Sequence, residues 1–175
     1  MRNKFEDEVF GNMNRLMSLT NDEDDRGLAL SMAAFSEDCL GRLLIAYMCD
    51  EKASFDLVEG FNAPLGTFSS RIKAGAALGL LSKIQQADLD LARKVRNEFA
   101  HNWEGCSFET QNIKDWVLQM SDSRIHDRHS ATTRRKFHYT MSCTLVELEY
   151  LLSTLGNGRR RIPIVAHHLS TKPPK

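Results

Sequence analysis

The stretch DLDLARKVRNEFAH, residues 88–101, decides how this chain is read. Leu91, Ala92, Val95 and Phe99 recur at intervals of one, three and four residues, so a helix would gather them on one face, with Trp103 extending it. Asn97 and His101 are four residues apart and share the opposite face. Arg96 lies roughly 100° from Asn97, at the flank of that polar side. The apolar face needs a core to bury it, while the polar face presents a cation, an amide and an imidazole.

The same helical period runs through most of the chain. Phe5, Val9, Met13 and Leu16 suggest a first amphipathic helix, and the residues from Thr20 to Asp25 suit the start of another. Leu28 to Met48 is apolar on most sides, the pattern of a helix central to a bundle. A short helix is expected over Ala53–Glu59, ended by the glycine- and proline-bearing segment Gly60 to Gly66. Thr67 or Ser69 could cap a helix carrying Phe68, Ile72, Ala76 and Leu80, with Gly75 and Gly79 inside it. Ser82 to Gln86 reads as a connection, and Asp88 or Asp90 as the start of the next helix.

A short helix around Ile113–Met120 and a polar loop from Ser121 to Ser130 follow. Thr132 to Leu155 forms the last helix, with Phe137, Met141, Leu145, Leu148, Leu152 and Leu155 on one stripe and Gly156-Asn157-Gly158 ending it. No strand period and no repeat is evident. The expected fold is all-α, a single bundle of five to seven helices over residues 1–156, followed by a basic, disordered tail over 157–175.

A chain of 175 residues, 42% hydrophobic and 26% charged, fits one globular domain. No apolar run approaches the ~20 residues of a spanning helix, and MRNKFEDEVF has acids where a signal peptide would be apolar. The four cysteines are far apart, and Cys39 sits in an apolar helical pattern that suits a buried, reduced thiol. A cytoplasmic protein is expected. Net charge is zero but uneven: residues 1–90 carry 9 Lys+Arg against 15 Asp+Glu, and residues 91–175 carry 14 against 8. Either a basic face awaits a polyanion, or helices from the two halves neutralise each other.

Arginine grips phosphate through a planar two-pronged fork, and histidine moves protons near neutrality. A 2′-hydroxyl of RNA attacking its own phosphodiester needs those two services and no metal. Arg96, Asn97 and His101 could supply them; the plainer alternative is a solvated helix face with Arg96 paired to Glu37 or Asp38. Asp38 and Arg42, one turn apart, could pair on the surface. A second cationic candidate comprises the segment from Arg124 to His129, then Arg134, Arg135 and Lys136, with Arg93 a further phosphate-contact candidate. Cations in a helix's first turn oppose its dipole, so the Arg134–Lys136 triplet is locally unfavourable. Neither His126 with His129 nor His167 with His168 has a set of partner ligands, and no phosphate-binding glycine loop occurs, so no metal or cofactor is expected.

The motif RNEFAH resembles the Arg-polar-x-x-x-His signature of HEPN domains, small all-helical modules. The blocks DRGLALSMAAFSEDCLGRLLIAYM, FNAPLGTFSSRIKAGAALGLL and DLDLARKVRNEFAH resemble successive segments of the MltR-like family, named for the mannitol operon repressor, over about residues 26–118. The HEPN resemblance implies a metal-independent endoribonuclease in which Arg96 binds the scissile phosphate, Asn97 assists and His101 is the acid–base. It also implies a homodimer that joins two such motifs in one cleft. The MltR-like resemblance implies a repressor of sugar-utilisation genes. With no helix-turn-helix, zinc site or sharply basic recognition helix evident, direct DNA binding is disfavoured and a regulatory protein partner is expected.

Overall fold

The structure is a computed structural model that describes residues 11, 14–18, 20–48, 52–102, 104–121 and 132–156. Most of the expected first helix, Trp103, nearly all of the 121–130 loop with its histidines and arginines, and the tail lie outside the described residues. Six helices are bounded: α1 (Asp25–Tyr47), α2 (Lys52–Val58), α3 (Phe68–Ala77), α4 (Lys83–His101), α5 (Gln111–Gln119) and α6 (Thr133–Gly156). Residues 14–18 are also helical, and no strand occurs among the described residues.

α1 is the axis of the bundle. It packs against α6, α4, α3 and α2, so Leu28, Met32, Cys39, Leu40, Leu43 and Leu44 are buried on several of its sides. This is the physical meaning of its all-round apolar pattern. α4 turns Leu91, Ala92, Val95 and Phe99 inward, and α6 contributes Phe137, Met141, Leu145 and Leu148. Phe99, Phe108 and Phe137 form a chain of rings with centroids 5.2 and 5.1 Å apart. Each such buried ring is worth ~1.5–3 kcal/mol of burial. Phe108 comes from the segment after α4, so the end of the motif helix is anchored by a plug that helical periodicity does not reveal.

Two helix boundaries differ from expectation. α4 starts at Lys83: Ser82 and Gln85 form a capping box, each side chain meeting the other's backbone N–H. Ser82–Gln86 is therefore not a connection. Asp88 is buried within the helix, where it accepts a hydrogen bond from the Ser121 N–H at 2.8 Å. α3 ends at Ala77, so Gly79 and Leu80 lie beyond it. Gly79 has φ +72° and its N–H bonds the Ala76 carbonyl, while the Leu80 N–H reaches Gly75. That paired closure uses glycine as the stop.

Candidate functional site

Arg93, Asn97 and His101 follow one another at four-residue steps along the outer side of α4, with Arg96 beside Asn97. Arg96 Nη1 donates to Asn97 Oδ1 at 3.0 Å, and Arg96 Nη2 stands 3.6 Å from Glu37 Oε2 on α1. The fork is thus partly engaged within the chain. His101 is exposed, and its side chain makes no hydrogen bond or ion pair among the described residues. It is the last residue of α4, where a cation favours the helix dipole. The helix end is closed by other means: the Asn102 N–H bonds Glu98 and the Asn102 carbonyl accepts from Arg26 at 2.8 Å. Arg93 Nε lies 3.5 Å from Asp90 Oδ1 without making a hydrogen bond.

Glu37 and Asp38, neighbours in sequence, take different partners. Glu37 faces Arg96, while Asp38 pairs with Arg42 at 2.8 Å. Arg42 also grips Glu149 of α6, whose side chain is almost fully buried. Cys39 lies under this pair. Burial first, and then the Glu149 carboxylate, push its thiol far above the ordinary range. A thiol kept protonated in this way is no nucleophile near neutrality.

The basic triplet at the start of α6 splits three ways. Arg134 bonds Asp25 Oδ1 at 2.8 Å and the Glu23 carbonyl at 2.6 Å. Asp25 in turn accepts from the Phe108 N–H at 2.9 Å. Lys136 is buried and donates to the Leu118 carbonyl in the last turn of α5, one of the carbonyls a helix leaves without an internal partner. Only Arg135 of the three is exposed. For Arg134 and Lys136 the expected local cost is therefore met by carboxylate and carbonyl partners on neighbouring segments. The Arg134–Asp25 and Arg96–Glu37 pairs also join the basic half of the chain to the acidic half.

The strongest arginine site has no sequence signature. Arg71 on α3 is 8% exposed, and its guanidinium makes four bonds of 2.8–2.9 Å. The acceptors are the carbonyls of Leu65, Glu37 and Val58 and the Glu59 carboxylate. It binds α3 to α1, to the end of α2 and to the intervening loop. Gly41 makes room: a Cβ there would sit 2.6 Å from Arg71 Nη1.

The last feature is a groove of about 570 Å³ between Met17 and α6. Its α6 wall includes Arg135, His138, Tyr139, Cys143 and Val146. His138 Nε2 is 3.4 Å from Thr20 Oγ1, and burial, followed by the Arg134 charge, holds the imidazole below its ordinary pKa. Among the described residues, no group of three or more metal-ligating side chains occurs, and no helix is long and apolar enough to cross a membrane.

This arrangement is an all-helical bundle with a partly engaged Arg-Asn-His row on one helix. No protein-family model matches the chain, and no curated protein does. A chain of the X-ray structure of the MtlR–HPr complex from Escherichia coli has a similar fold, with a TM-score of 0.56 at 19% identity. The match covers 83% of this chain and 99% of that one.

Proposed function

We propose that this chain is a non-catalytic regulator of transcription of the MltR type, working through contact with another protein. The supporting observation is the likeness of fold over 99% of a chain from the MtlR–HPr complex. Two features of the polar surface agree with it: Arg134 is bound to Asp25, and Lys136 is buried. A nuclease or nucleic-acid surface needs such cations available to phosphate. HPr is the first partner to test. Calorimetric titration of the purified protein with HPr from the same organism should show saturable binding, and a flat titration counts against that partner. Deleting the gene should derepress a sugar-utilisation operon; unchanged transcript levels across all such operons would sink the regulatory reading.

A second reading is metal-independent RNA cleavage, favoured by the placement of Arg96, Asn97 and His101 together on α4 with His101 exposed. Arg96 would neutralise the phosphate while His101 takes the 2′-hydroxyl proton or protonates the leaving oxygen. Labelled RNA in excess chelator distinguishes the two readings. Intact RNA, or equal cutting by Arg96→Ala and His101→Ala, eliminates the nuclease.

A further inference from the structure

The loop between α2 and α3 carries a fully displayed aromatic ring. Phe61 is 97% exposed, while Tyr150, next among the exposed large apolar side chains, is 64% exposed. The backbone fixes that display. The Ala63 N–H bonds the Gly60 carbonyl at 3.3 Å, and Asn62, between them, has φ +59°. A positive φ at the third position alone of such a bonded turn marks type II, with Phe61 at its corner. Asparagine tolerates that conformation better than most side chains. Two further bonds close the loop, from the Leu65 N–H to the Leu57 carbonyl at 2.8 Å and from the Gly66 N–H to the Ala63 carbonyl at 2.9 Å. Arg71 then fastens both ends through the Val58 and Leu65 carbonyls. The buried clamp thus holds in place the turn that carries the exposed ring.

We propose, on the regulatory reading above, that Phe61 is the anchor by which this protein holds its protein partner, the ring entering an uncharged apolar pocket on that partner. The charges beside it point to such a pocket. Lys52, Asp56 and Glu59, the charged side chains of α2 and the loop, are all paired: Lys52 with Asp56 at 2.8 Å, and Glu59 with Arg71 at 2.9 Å. The tip therefore offers no free cation to a phosphate and no free acid to a basic surface. It offers a ring in a set position, with Leu57 also exposed on the helix leading to it. An aromatic side chain has only two rotatable bonds, and the turn beneath it is already formed, so docking orders little that was free. Aromatic anchors of this kind carry a large share of the affinity where they fill a pocket.

Titration of the full chain with HPr should show Phe61→Ala binding about tenfold more weakly or worse. Its helical circular dichroism and urea midpoint should stay unchanged, because the ring touches solvent rather than core. Ile84→Ala, which removes an exposed side chain at the start of α4, should bind like wild type. Asn62→Gly, which keeps the left-handed turn, should hold its affinity, while Asn62→Val, β-branched where φ is positive, should lose affinity. In cells, Phe61→Ala at unchanged protein level should derepress the same operon as deletion of the gene. Equal HPr binding by wild type and Phe61→Ala overturns the assignment, and so does full repression by Phe61→Ala where deletion derepresses. If wild type does not bind HPr, the repression measurement decides alone. A deletion that derepresses nothing removes the regulatory reading and the anchor with it. That outcome is distinct from an effective deletion beside a silent Phe61→Ala, which removes the anchor alone.

Discussion

Two arginines meet at Glu37, and they are held in opposite ways. Arg71 takes the backbone carbonyl of Glu37 together with three other acceptors, at distances of 2.8–2.9 Å in a nearly closed pocket. Arg96 takes the Glu37 carboxylate at 3.6 Å, and its side chain is 37% exposed. Buried donors and acceptors lose their water, so each must find a protein partner. Exposed ones keep water and can exchange it for a ligand. Arg71 is therefore a clamp for three segments of the fold, while Arg96 remains able to change partners. The arginine in the recognisable motif is the less important of the two for folding.

The largest expected effect breaks this contrast if it fails. Arg71→Ala should cost about 3–5 kcal/mol in urea unfolding, because it leaves buried acceptors without a donor. Arg71→Lys should recover only part of that, since an ammonium cannot reproduce the planar fork. Gly41→Ala comes next. Alanine usually improves a helix interior by ~1 kcal/mol over glycine. Here its Cβ would displace a guanidinium held by four bonds, for a net loss of ~1–3 kcal/mol. A stabilised Gly41→Ala protein would show that the clamp is slack.

Arg96→Ala should change stability by less than ~1 kcal/mol, the range of exposed ion pairs. Any strong phenotype it has should appear in HPr binding or RNA cleavage rather than in the urea midpoint. A loss as large as that of Arg71→Ala would erase the distinction between the two arginines. The smallest effect concerns His138, whose folded pKa is lowered by burial and then by Arg134. The unfolded chain binds the proton more readily, so the contribution of neutral His138 is complete above the ordinary pKa of ~6.5 and fades as pH falls through the lower, folded value. His138→Gln should flatten the acid side of a plot of melting temperature against pH; an unchanged slope would remove His138 from the account.

Much of the architecture was legible in the order of residues. The spacing of Val95 and Phe99 against Asn97 and His101 placed the inner and outer faces of α4, and the all-round apolar run from Leu28 marked α1 as central. The pairing of Arg42 with Asp38 follows from one turn of separation. Less legible were the boundaries set by short capping motifs. Ser82 with Gln85 reads as a connection, and Gly79 as helix interior, because their neighbours continue a helical period. The cations at residues 134–136 are readable as charges but not as two separate partnerships beside one exposed side chain.

Local periodicity specifies which face of a helix seeks a core, because a side chain's direction repeats every 3.6 residues along its own backbone. Composition and spacing accordingly establish an all-α chain with an outward Arg-Asn-His row. Partnerships across elements obey no such local rule. Phe108 against Phe99, Arg134 with Asp25, and Arg71 with the Glu37 carbonyl join residues 9 to 109 positions apart. They exist because burial removes water and leaves each polar group to the nearest donor or acceptor that packing brings. Packing thus made Arg71 a structural clamp and left Arg96 exchangeable.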